Sequence, residues 1–283
     1  MSELINAIAT DHLYGPLTKS IDIEQTCMLL NLAYELGSVS AFKEEGLTRL
    51  PQTSRVRRQE VVRLTLRKFL ATDDDRIVVT PFLRVMVDPK VEPTLKRELL
   101  YVYYLRSTPL AWDAVAEVVL PRAEVANSSL AQRSDWEIRI EDWNAFLERR
   151  LRSYTKTTFS RTRRHLTAHL TKFGVLESER VEGNAIAKRF YARFTEPDPR
   201  AFLFGLAAEF HDHGWTSRSL EWVVAHSWTR ISFCTQAAYT RFAVEQGERW
   251  GLVIREYFGS QPQVTLKGPD PVETLSQFIL SEG

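Results

Sequence analysis

The chain has 283 residues, of which 44% are hydrophobic, 11% aromatic and 26% charged, enough for about two ordinary cores and too apolar for wholesale disorder. Mean hydropathy is −0.25, no apolar run approaches the ~18 residues of a spanning helix, and the opening MSELINAIATDHLYG does not read as a secretory signal. Two cysteines, Cys27 and Cys234, without a CxxC, exclude a disulfide framework and a thiolate zinc site and lead to the expectation of a cytoplasmic protein.

The first predicted helix is SIDIEQTCMLLNLAYELG, with Asp22 as cap, Ile23, Cys27, Leu30 and Tyr34 on one face, and Gly37 as stop. The segment SAFKEEGL and a polar turn at Pro51-Gln52-Thr53-Ser54 follow. The next helix, RVRRQEVVRLTLRKFL, buries Val62, Leu66 and Phe69 and places Arg55, Gln59, Arg63 and Arg67 on another side. An acidic turn, Asp73-Asp74-Asp75, ends it. RIVVTPFLRVMVD reads as one strand, or as two broken at Pro81.

Residues 93–125 read as two helices separated by Pro109, and WEIRI as a short extended piece after a polar stretch from Asn127 to Ser134. The helix EDWNAFLERRLRSY leads to a second in TKTTFSRTRRHLTAHLTKFG. Its inner stripe is Phe159, Leu166, Leu170 and Phe173, its outer side carries Arg161, Arg164 and Lys172, and Gly174 ends it. A hairpin around Glu182-Gly183-Asn184 follows. After the linker-like Thr195-Glu196-Pro197-Asp198-Pro199 come three helices, two strands around Gly259-Ser260-Gln261-Pro262, and a last short helix, PVETLSQFIL.

Charge is unevenly spread. Lys and Arg number 37 against 36 Asp and Glu, yet residues 51–70 hold six bases against one acid and residues 153–194 nine against three. Of the bases, 28 are Arg, the side chain that makes forked contacts to phosphate and guanine. Helix, turn, helix and hairpin recur at 142–193 and 219–267, and more loosely at 38–88, which is how a winged helix-turn-helix reads in sequence. The expected fold is therefore mainly α, with tandem helix-turn-helix or winged-helix modules and small β-hairpin wings. The expected modules are 1–92, 93–194 with the basic winged helix, and 195–283 of acidic balance.

The segments SIDIEQTCMLLNLAYELG, SRVRRQEVVRLTLRKFL, LLYVYYLRSTPLAWDAVAEVVLP, DWNAFLERRLRSY and TTFSRTRRHLTAHLTKFGVLES, over roughly residues 18–180, resemble the BrxA proteins of bacterial BREX (bacteriophage exclusion) defence systems. The resemblance implies a mainly helical, helix-turn-helix protein that binds double-stranded DNA, without catalytic activity, as one component of a multi-protein phage-defence locus. It implies DNA-facing roles for Arg161, Arg163 and Arg164, and for Arg55, Arg57 and Arg58. Residues 195–283 extend further past the wing than the family would suggest.

The residues themselves widen that candidate interface. Ser160 and Thr162 join the arginines in the first turns of their helix, where amides and dipole favour phosphate. Lys156 precedes them, Lys172 lies on the outer side, Lys188 and Arg189 lie on the expected wing, and Arg63 and Arg67 complete the earlier helix.

His165 and His169 have an i, i+4 ligand spacing, but Leu166 stands where a metalloprotease has Glu, so they are expected to be exposed polar residues beside the basic stripe. His211-Asp212-His213 suits a helix C-terminus, and the Asp73–Asp75 run a solvated turn. The seven tryptophans read as packing, and no phosphate-loop, dinucleotide or Ser-hydrolase motif occurs. The expectation is a non-enzymatic double-stranded DNA-binding protein with other phage-defence proteins as partners. It includes no cofactor, no metal, no membrane and no small-molecule substrate. The alternatives are a protein-interaction scaffold, whose basic faces meet acidic partner surfaces, and a sequence-specific transcription regulator.

Overall fold

The computed structural model describes residues 22–126, 132–181, 188–258 and 261–282. The turns expected at Glu182-Gly183-Asn184 and at residues 259–260, and the stretch 127–131, lie outside them. The described chain is mainly helical with small antiparallel sheets. In order, its elements are α1 (Ile23–Leu36), α2 (Val39–Arg49), α3 (Arg55–Phe69), β1 (Ala71–Asp73), β2 (Arg76–Val78), α4 (Pro81–Val87) and α5 (Pro93–Arg106). Then come α6 (Pro109–Ala114), a π-helical turn (Val115–Val119), α7 (Leu120–Ala126), a 3-10 turn (Arg133–Trp136), α8 (Ile140–Arg150), α9 (Lys156–Lys172), β3 (Leu176–Arg180) and β4 (Lys188–Ala192). The last are α10 (Pro199–His213), β5 (Ser217–Ser219), α11 (Leu220–His226), α12 (Trp228–Phe233), α13 (Ala237–Arg249), β6 (Val253–Phe258), β7 (Gln261–Leu266) and α14 (Pro271–Glu282).

Two compact units divide the chain. Among the described residues, one holds those of 108–196 and 231–236; the other holds those of 22–107, 197–230 and 237–282. The second unit thus draws on residues of the first and third expected modules, and the first on most of the middle one.

The core of the second unit gathers Leu29 and Leu30 of α1, Phe42 of α2, Phe82 of α4, Leu99 and Leu100 of α5, and Phe202, Phe204 and Leu206 of α10. Asp22 caps α1, its Oδ1 accepting from the Gln25 N–H at 3.1 Å, and Gly37 closes it at φ +64°. The buried face of α1 is nevertheless Thr26, Leu29, Leu30, Leu32 and Ala33, whereas Tyr34, expected on one face with Ile23, Cys27 and Leu30, is exposed. SAFKEEGL belongs to a full helix, α2, capped by Ser38. Pro81 does not break a strand. Thr80 accepts from the Leu83 N–H at 3.2 Å, and Pro81 starts α4, where its missing N–H costs nothing. The burial of Phe82, Leu83, Val85 and Met86 has the helical period rather than strand alternation.

The core of the first unit is built from Val115, Trp143, Phe146, Leu147, Leu166 and Leu170. The π turn precedes Pro121, which has no N–H to give the preceding turn, so α6 and α7 meet without a regular hydrogen-bond ladder.

One pairing pattern occurs three times among the described residues. Ser38, ahead of α2 and α3, bridges Arg76 of β2, and Glu137, ahead of α8 and α9, bridges Tyr191 of β4. β5, ahead of α11, pairs with β7. In each case the residue or strand before the helices pairs with the second strand of the hairpin that follows them.

Candidate nucleic-acid interface

Thr155 caps α9, its Oγ1 accepting from the Thr158 N–H at 3.4 Å, and Gly174 at φ +81° lets the chain turn into β3. The helix buries Thr162, Leu166, Thr167, His169 and Leu170 against its unit. Its opposite side exposes Lys156, Ser160, Arg161, Arg164 and Lys172. Arg161 and Arg164 form no ion pair among the described residues, so their guanidinium donors face solvent. Five such donors per arginine and the positive helix end nearby suit phosphate oxygens.

Three of the residues expected on this surface lie elsewhere or have other work. Thr162 is fully buried, one position round the helix from Arg161, and its hydroxyl has no hydrogen-bond partner among the described residues, so it presents nothing outward. Arg163 is half-buried and its Nη1 donates to Asn144 Oδ1 of α8 at 3.2 Å, fastening the two helices. Arg189 of β4 is exposed but its Nε lies 3.8 Å from the Glu137 carboxylate. Lys188 is exposed beside it.

Acidic residues of the β3–β4 hairpin are partly matched within the unit. Arg133 reaches Glu177 at 3.2 Å and Glu179 at 3.3 Å, and stands 4.8 Å above the Tyr191 ring. Two exposed arginines, Arg152 before α9 and Arg180 at the end of β3, border the same elements and were not singled out from the sequence. Arg180 is one of the nine bases counted in 153–194, Arg152 lies one position before that stretch, and neither belongs to a helical stripe.

His169 corrects the expectation of an exposed histidine pair. It is buried, with its ring centroid 6.4 Å from that of His165, a spacing imposed by one turn of helix. Among the described residues, no group of three or more His, Cys, Asp or Glu could hold a metal ion. The Asp73–Asp75 run is a hairpin turn with Asp74 at φ +49°. Asp75 accepts from Ser38 Oγ at 2.7 Å, and from the Ser40 N–H and Oγ at 2.8 Å, bonds that hold its carboxyl below the usual range.

The other arginine-rich helix, α3, belongs to the second unit. Ser54 caps it, Val62, Thr65 and Phe69 are buried, and Arg55, Arg57, Arg63 and Arg67 are exposed. Arg58 is different: its Nη1 donates to the Gln52 carbonyl at 2.8 Å and staples the turn before the helix. In α13 of the same unit, Arg241 pairs with Glu221 at 2.9 Å, while Phe242 on α13 and Tyr257 on β6 are exposed.

No family model matches the chain, and no curated protein matches it. A solved structure described as "SspB crystal structure" is similar in fold, with a TM-score of 0.58 at 14% sequence identity. The likeness covers 94% of this chain and 85% of that one. It is a likeness of fold alone. Among the described residues, no helix is long and apolar enough to cross a membrane.

Proposed function

We propose that the chain is a non-enzymatic, cytoplasmic protein of tandem winged-helix modules that binds double-stranded DNA. α9 supplies the main contact through Arg161, Arg164, Lys156 and Ser160, with Lys172 and Lys188 beside them. α3 supplies a further basic face through Arg55, Arg57, Arg63 and Arg67. What supports the modular reading is the threefold pattern of paired helices followed by a hairpin whose second strand meets the residue before the helices.

The observation that carries the DNA reading is α9 itself. It buries one side, with Leu166 and Leu170 at its centre, and leaves Arg161 and Arg164 exposed and without ion pairs among the described residues. Phosphate contacts of this kind orient a protein on a duplex without reading its sequence. The resemblance to BrxA proteins supports a place in a BREX-type phage-defence assembly.

The test is a mobility-shift titration of duplex DNA at two salt concentrations. Neutralisation of about six phosphates gives a slope of log K against log salt near −5. Absence of retarded DNA at low salt overturns the reading.

A protein-contact role is favoured for one module. On α13, Arg241 is engaged by Glu221 at 2.9 Å, and the exposed large residues near it are Phe242 and Tyr257. That surface suits partner proteins better than phosphate. Partner capture that survives nuclease treatment, by a chain that does not retard DNA, would make the scaffold reading the principal one.

A further inference from the structure

The β3–β4 hairpin of the first unit sorts its charges by face. Residues directly opposite in an antiparallel pair share a face. The register sets Leu176 against Ala192, Ser178 against Phe190 and Arg180 against Lys188 on one face. On the other it sets Glu177 against Tyr191 and Glu179 against Arg189.

The face with the two glutamates is matched within its unit. Arg133 pairs with Glu177 and Glu179 and lies over the Tyr191 ring, and Arg189 stands against Glu137. The opposite face carries no acid among the described residues. Leu176 and Ala192 are buried at its base, Ser178 and Phe190 are half-buried, and Arg180 and Lys188 are exposed at its far end. Neither cation forms an ion pair or a side-chain hydrogen bond among the described residues.

Side chains directly opposite across two strands stand about 5 Å apart at Cβ, and like charges there repel. An opposite charge would suit the position better, as one position along, where Glu179 faces Arg189. The two cations therefore work against the free hairpin. An anion between them reverses the sign of that interaction. A phosphodiester offers two unesterified oxygens, one for the guanidinium and one for the ammonium group.

We propose that one backbone phosphate of a duplex sits between Arg180 and Lys188, so that the end of this hairpin is a phosphate clamp whose cross-strand repulsion DNA relieves. The inference rests on the DNA reading and deepens it. Arg180 joins Lys188 as a DNA contact, and at this one position binding and the stability of the free chain oppose each other. Arg161 and Arg164, exposed and without ion pairs in the same unit, favour a duplex phosphate over a carboxylate as the anion.

Mobility-shift titration of the full chain with duplex DNA over a salt series, beside thermal unfolding of the free protein, tests the clamp. Arg180→Ala and Lys188→Ala should each weaken duplexes of any sequence by about tenfold, the usual worth of a charge-assisted hydrogen bond. The double variant should lose little more than either single one and reduce the slope of log K against log salt by about 1, the share of one phosphate. Arg180→Gln and Lys188→Gln cover the case in which an alanine variant does not fold. Lys188→Glu, which sets an acid opposite Arg180, should raise the unfolding midpoint of the free chain by about 1–3 °C and weaken DNA more than Lys188→Ala does.

A parent chain that retards no duplex overturns the DNA reading and the clamp with it. A parent chain that binds, with folded variants that bind equally well, overturns the clamp alone. Additive losses with a slope reduced by about 2 assign the two residues to separate phosphates and overturn the shared one. An unchanged or lowered midpoint in Lys188→Glu overturns the repulsion on which the clamp is built.

Discussion

Arg163 Nη1 and Asn144 Oδ1 meet at 3.2 Å, a bond that joins the arginine-rich helix α9 to α8 within one unit. Its neighbours Arg161 and Arg164 make no such bond among the described residues, although the family resemblance implies the same DNA-facing role for all three.

The difference separates folding from binding. Arg161→Ala with Arg164→Ala should leave thermal unfolding nearly unchanged, since exposed substitutions usually fall within about 0.5 kcal/mol. The same variant should weaken every duplex to a similar degree, by mobility shift across several sequences. Arg163→Ala should instead cost about 1–2 kcal/mol of stability, because a partly buried charged donor is lost and the Asn144 Oδ1 acceptor is left without it. Loss of binding to one sequence alone in the double variant would point to base readout instead of phosphate contact.

Thr162→Val offers the opposite test. The hydroxyl is buried without a partner among the described residues, so an apolar group of the same shape should be neutral or stabilising by up to about 1 kcal/mol. DNA affinity should not change. Reduced affinity in a folded Thr162→Val protein would return that hydroxyl to the interface.

Glu209 should make stability depend on pH. Burial raises its pKa from 4.5 to about 7 against the opposing effect of its three hydrogen bonds. Between those values the folded chain keeps a proton that the unfolded chain releases, so stability is fullest below pH 4.5 and is lost as pH rises through 7. Glu98, also raised to about 7 chiefly by burial, acts in the same direction. Urea unfolding of Glu209→Gln should show a flatter decline across this window than the parent chain, with the remaining slope due to Glu98. Identical slopes would show that Glu209 stays ionised in the fold.

Lys68 has the reverse sign. Burial lowers its pKa from 10.5 to about 8, so the unfolded chain holds a proton that the folded chain has released between those values. Stability should therefore gain with pH from about 8 to 10.5, and Lys68→Met should remove that gain in urea unfolding.

Gly247 is a packing test. A Cβ there would stand 2.6 Å from Val253 Cγ2 and 2.8 Å from Leu203 Cδ1, both side chains in the core of their unit. Gly247→Ala should lower stability by about 1–3 kcal/mol, the usual cost of overpacking, against its better helix propensity. A stabilised variant would show that the two side chains relax freely.

The sequence alone determined what depends on a few neighbouring residues. Asp22 and Gly37 bound α1, Gly174 ends α9, and the 3.6-residue period puts Leu166 and Leu170 inside with Arg161 and Arg164 outside. Mainly helical structure with small hairpins follows from the same local signals. It also concentrated the bases at 51–70 and 153–194, whatever the fold.

Tertiary structure decided the rest, because burial and pairing depend on what arrives from elsewhere in the chain. Thr162 and Arg163 turn inward because α8 packs against α9, His169 is enclosed by its unit, and Arg58 is spent on the turn before α3. Phe82 to Met86 form a helix because a core exists on one side of them for a helical stripe to fill. Arg180 and Lys188 come to face each other only once the register of β3 and β4 is set.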